Sequence, residues 1–133
     1  MMESTLDTLR PVALTVDRQA ILAYARITGD FTPIHVDAEF AARTPLGGVI
    51  AHGTLSLNLI WQSLAATFGD DAMRGAAIDV RFTRPVREGD VVQAGGRRSA
   101  DAPERFDVWV RNQAGVDVIE GTAVLSAARG GGS

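Results

Sequence analysis

Residues 54–68 read TLSLNLIWQSLAATF, with no Asp, Glu, Lys or Arg among them. The run is compatible with a helix of about four turns. Leu55, Leu57, Leu59, Ile60, Trp61, Leu64, Ala65 and Phe68 cover more than one face of that helix. A helix apolar over much of its circumference is normally buried inside a protein. It is too short to span a bilayer, and Gly69 supplies its stop.

Downstream of this helix the pattern changes. Ile78, Val80 and Phe82 alternate with Asp79, Arg81 and Thr83, the period of a half-buried strand. Pro85, Gly89 and Asp90 mark a turn, and Val91–Ala94 begins another strand. Phe106, Val108 and Val110 alternate with Asp107, Trp109 and Arg111, and Asn112–Gly115 has hairpin-turn composition. Val116–Leu125 completes the pair, with a break expected at Gly121.

Upstream, residues 11–16 (PVALTV) predict a short strand, and Asp17 offers an N-cap for a helix reaching Ile27. Gly29 ends that helix. Residues 28–35 are expected to be irregular, because Pro33 disfavours helix at Thr32. A short helix capped by Asp37 follows over Ala38–Ala42, then a loop through Pro45, Gly47 and Gly48 to Gly53. Helices in front and antiparallel strands behind predict an α+β fold, a sheet around one buried helix.

The bulk numbers agree with a single domain over residues 1–129, with residues 130–133 a flexible tail. Of 133 residues, 46% are hydrophobic and 22% charged, which suits a globular protein with a real core. The net charge of −3 argues against nucleic acid or an anionic membrane as the main partner. Cysteine is absent, which excludes disulfides, thiolate metal sites and Cys nucleophiles. The opening residues MMESTLDTLR are too polar for a signal peptide, so a cytoplasmic location is expected.

Two histidines exist, His35 and His52, each in a loop that precedes a helix. Asp30 lies five residues before His35, so a carboxylate and an imidazole could converge on one small reactant and move its protons. On spacing alone, Asp30 also reads as an Asx-turn residue and His35 as a packing residue. Gly53 sits where the uncharged helix begins. Its N–H could stabilise a developing oxyanion, or it could be a simple turn glycine. Ser56 and Ser63 have no evident base partner, and no metal motif is recognisable. Arg81, Arg84, Arg87, Arg97 and Arg98 read as a solvated strand face or as a landing site for phosphates.

The segment Tyr24–His35, YARITGDFTPIH, resembles the hydratase signature of MaoC-like enzymes. That signature has an aromatic residue, Gly-Asp, a variable residue, usually Asn, then Pro, an aliphatic residue and His. The resemblance continues through Phe40-Ala41-Ala42, residues 45–53 (PLGGVIAHG), the uncharged helix and residues 81–86 (RFTRPV). It resumes at Gly89-Asp90 and at the last hairpin with Gly115 and Gly121.

The resemblance implies a hot-dog fold, an antiparallel sheet wrapped around the Thr54–Phe68 helix. It implies Asp30 and His35 as the catalytic pair and the Gly53 N–H as the group that activates a thioester carbonyl. The implied reaction is reversible hydration of an enoyl thioester, carried on coenzyme A or an acyl carrier protein, without metal or other cofactor. A homodimer or dimer of dimers is implied, and a heterodimer is a known arrangement. Thr32 departs from the usual Asn. With His52, Asn58 and Trp61, it is expected to contact substrate, and the bulk of Trp61 would, from its size alone, favour short or unusual acyl groups. The rival readings are a non-catalytic acyl-thioester-binding or partner subunit, a hot-dog thioesterase, and a plain structural module. The thioesterase is disfavoured because the helix carries no carboxylate.

Overall fold

Residues 7–125 are described by a computed structural model. Strand β1 (Val12–Thr15) leads to helix α1 (Arg18–Thr28). The one-turn helices α2 (Pro33–Val36) and α3 (Ala38–Ala42) follow, then the long helix α4 (Gly53–Phe68). After a 3-10 turn at Asp70–Met73 come β2 (Ala76–Phe82), β3 (Val91–Arg98), β4 (Arg105–Arg111) and β5 (Asp117–Leu125). The five strands form one antiparallel sheet in the order β1-β3-β4-β5-β2. The fold is α+β, as the sequence predicts.

Helix α4 lies on the inner face of this sheet, against β1, β3 and β4. Its buried residues are Ser56, Leu59, Ile60, Ser63 and Leu64, the i, i+3, i+4, i+7, i+8 spacing of a single stripe. Leu59, Ile60 and Leu64 meet Val92 and Ala94 of β3, Phe106, Val108 and Val110 of β4, and Ile119, Ala123 and Leu125 of β5 in one core. Each large side chain removed from water there contributes roughly 2 kcal/mol. The uncharged sequence suggests burial all round, but one sheet covers one side. Thr54, Asn58 and Gln62 are exposed, and Leu57 and Trp61 are only half-buried.

Three expectations are corrected. Residues 33–36 are helical rather than irregular. Pro33 occupies the first helical position, where its missing N–H is not needed, and Thr32 stays extended before it (ψ 132). Strand β5 runs unbroken through Gly121, and the irregularity falls at Val110/Arg111 on its partner. Gly121 is there for closeness, since a Cβ on it would sit 2.1 Å from the Asp79 carbonyl oxygen. Phe82, expected to point into the core, is 55% exposed. The tail at 130–133 lies outside the described residues.

Three backbone bonds hold the segment that leads into α4. Ile50 N–H donates to Ile34 O (3.2 Å), Ala51 N–H to Val86 O (2.7 Å) and Glu88 N–H to Val49 O (3.3 Å). They clamp the start of α4 between the α2 turn and the segment after β2.

Candidate active site

Gly29 ends α1 in the left-handed conformation (φ 74), and its N–H donates to Ala25 O. That reversal brings Asp30 out of the helix and back toward α4. Asp30 Oδ1 accepts the Thr32 hydroxyl at 2.6 Å and the Thr32 N–H at 3.1 Å. The hydroxyl bond lowers the Asp30 pKa most, and the N–H bond adds to it. Desolvation opposes both, while His52 and His35 favour the charge. Asp30 is therefore a carboxylate at neutral pH.

His35 stands on the α2 turn that Pro33 starts. Its Nδ1 lies 2.8 Å from Ile50 O, which can only accept, so in the neutral ring Nδ1 carries the proton. Nε2 is left as the accepting nitrogen. His52 Nε2 lies 2.9 Å from Asp30 O and carries the proton for the same reason. The His52 ring is 3% exposed and stacks on His35 at 4.0 Å between centroids, 24° between planes. Tyr24 meets its edge at 5.0 Å, and the Tyr24 hydroxyl donates to Thr54 Oγ1 at 2.6 Å.

One polar atom from each of Asp30, His35 and His52 lies within 4.8 Å of the others. The spacing is compact enough for a metal ion, but the geometry is not convergent. Stacked imidazoles, 24° between planes, direct their in-plane lone pairs along nearly parallel planes rather than at one point. A carboxylate beside an accepting imidazole nitrogen is suited instead to holding and deprotonating a water molecule.

A cleft of about 300 Å³ opens beside this cluster. Its wall includes His35, Gly53, Ser56, Phe82, Arg84 and Ile119. Helix α4 starts there without a side-chain cap, so its first amides keep their partial positive charge for a ligand. A Cβ on Gly53 would meet the Phe82 ring at 3.0 Å, so the absent side chain leaves room for that ring.

The sequence-predicted residues thus divide. His35 and Gly53 share the cleft, and the Asp30 carboxylate adjoins His35. Thr32 uses its hydroxyl on Asp30. His52 is enclosed behind the pair and does not line the cleft. Asn58 and Trp61 do not line it either: Asn58 is exposed and Trp61 packs at the core's edge. Sequence reasoning missed Phe82 and Ser56 as cleft residues. The exposed end of a strand and an uncharged helix carry no signal for them. Among the arginines, Arg84 lines the cleft, while Arg81 pairs with Glu120 (2.6 Å) and Arg87 donates to Leu46 O (2.6 Å).

The sequence matches the MaoC-like domain family over residues 2–120. It is 38% identical over 85 residues to a 3-hydroxybutyryl-CoA dehydratase from Methylorubrum extorquens, covering 64% of this chain and 54% of that protein. The chain thus spans about half of that relative's length. It is 33% identical to an (R)-specific enoyl-CoA hydratase from Rhodospirillum rubrum, covering 90% of this chain and 85% of that protein. An unliganded (R)-hydratase structure from Pseudomonas aeruginosa superposes with a TM-score of 0.74 at 32% identity, over 86% of this chain and 76% of that one.

Proposed function

Because the chain belongs to the MaoC-like domain family, we propose that it is a hydro-lyase acting on an enoyl thioester. An enoyl-CoA is hydrated reversibly to the (R)-3-hydroxyacyl thioester. The observation that carries this reading is the meeting of a carboxylate, an accepting imidazole nitrogen and an uncapped helix start beside one mostly apolar cleft.

The thioester carbonyl oxygen takes the Gly53 N–H, which favours negative charge as it develops there. Asp30 and His35 Nε2 hold one water at C3. One of them accepts a water proton as the oxygen–C3 bond forms and the C2–C3 π bond breaks. The pair returns one proton to C2, so the sum is addition of water. No electron acceptor is needed, and the thioester is the only small molecule besides water.

Two residues act through the pair rather than on substrate. Thr32 orients Asp30, and His52 holds the Asp30 backbone while stacking on His35. The bulk of Trp61 remains a proposed limit on acyl length, acting from outside this cleft. A second copy of the chain is the expected partner, since α4 keeps a half-covered apolar side and Phe31 is 53% exposed next to Asp30. A cytoplasmic location accords with a coenzyme A thioester substrate, and no described helix is long and apolar enough to cross a membrane.

Hydrolysis of the thioester is the weaker reading, because Gly53–Phe68 offers no carboxylate to attack the carbonyl. A non-catalytic binding role leaves the Asp30–His35 arrangement without a use. The test is to convert crotonyl-CoA and challenge the product with chiral 3-hydroxyacyl dehydrogenases. Oxidation by the (R)-specific enzyme alone is expected. Oxidation by the (S)-specific enzyme, or release of free thiol, would overturn the proposal.

A further inference from the structure

Helix α4 carries four hydroxyl side chains, and three are engaged. Thr54 accepts from Tyr24 (2.6 Å), Ser63 donates to Arg10 O, and Thr67 donates to Ser63 O (2.7 Å). Ser56 differs. It is 1% exposed, and its Oγ is buried with no hydrogen-bond partner among the described residues. A hydroxyl in a helix can bond back to the carbonyl four residues earlier, yet Ser56 does not do so. Buried polar atoms in native proteins are nearly always satisfied, so an orphan in a cleft wall points to a ligand.

Its place in the fold suggests which atom it meets. Ser56 lies three residues after Gly53, on the same side of α4, and both line the cleft. Helical side chains tilt toward the N-terminus and cover the preceding turn. The Ser56 hydroxyl therefore leans toward the Gly53 amide. Apart from His35, Thr83 and Arg84, the walls around it are mostly apolar, with Ile50, Val86 and Ile119 among them.

We propose that the Ser56 hydroxyl is a second donor to the thioester carbonyl oxygen, alongside the Gly53 N–H. The inference rests on the hydratase reading above. Two donors from one helix turn clamp the oxygen from two directions. The hydroxyl, unlike a backbone amide, can rotate to follow the oxygen as it gains charge. Because the bond strengthens as charge develops, its loss acts on kcat more than on KM.

The experiment compares wild type, Ser56→Ala and Ser56→Thr with crotonyl-CoA, measuring kcat, KM and melting temperature. Ser56→Ala is expected to lower kcat on the order of 10²-fold with little change in KM. Its melting temperature should be unchanged or raised, because the hydroxyl has no protein partner among the described residues. Ser56→Thr, which keeps the hydroxyl, should recover most of the loss. An active wild type whose kcat survives Ser56→Ala within two-fold would overturn the Ser56 assignment alone. So would a kcat loss accompanied by a lower melting temperature and no recovery in Ser56→Thr. A wild type inert toward short, long and branched enoyl-CoAs would overturn the hydratase reading and this assignment with it.

Discussion

Thr32 reaches Asp30 Oδ1 through both its hydroxyl and its N–H, leaving Oδ2 without a protein partner among the described residues. Thr32→Val removes the hydroxyl bond and keeps the N–H bond. The Asp30 pKa should then rise toward the usual aspartate value, and the acid limb of kcat/KM should move to higher pH. Titration of the Asp30 carboxyl by NMR beside the pH–rate profile checks this, and an unmoved limb would contradict it. The same depressed pKa ties stability to pH. The carboxylate's contribution is present above the unfolded value and fades as pH falls through the folded one. The valine variant should therefore lose its added sensitivity to acid. Asp30 and His35 stood out in the sequence through the Gly-Asp and Pro-aliphatic-His pattern that carries the resemblance, since their spacing alone also fits an Asx turn and a packing residue. The place of His52 did not. Its role depends on a stack with His35 across 17 positions and on a bond to the Asp30 carbonyl. Phe82 was misread for a related reason: strand alternation predicts which face a side chain takes, but not where the covering helix ends.

At the scale of elements, the long helix and the strands could be read from periodicity, and caps set several ends. Asp17 accepts from Ala20 N–H (2.8 Å) and Asp37 from Phe40 N–H (3.0 Å), as expected of their positions. The short α2 turn was hidden because Pro33 reads as a breaker from one side and a helix starter from the other. Gly121 was hidden because its constraint comes from a neighbouring strand. Gly121→Ala would drive a methyl into the Asp79 carbonyl and the Val80 Cα, both backbone atoms that cannot swing aside. The β2–β5 pairing must open, at a cost of about 3 kcal/mol. A clear fall in the urea midpoint is expected, and a midpoint equal to that of wild type would show that the strands separate freely there.

At the scale of the whole molecule, one sheet covers one side of α4, and the sequence shows that mismatch without showing how it is resolved. The helix has no charged residue, yet Leu57 and Trp61 are left half-covered and Phe31 and Phe82 are exposed. Association of two copies would cover such surface. Sedimentation equilibrium should give twice the 14.1 kDa chain mass, and a monomer at micromolar concentration would count against it. The proposed chemistry rests on Asp30 and His35 acting on one water beside the Gly53 amide. The most direct measurement is loss of enoyl-thioester absorbance from crotonyl-CoA, with Asp30→Asn and His35→Ala run beside wild type. Steady loss is expected with wild type and a fall of at least about 10²-fold in each variant, both remaining folded. Turnover that persists in either folded variant would contradict the proposed chemistry.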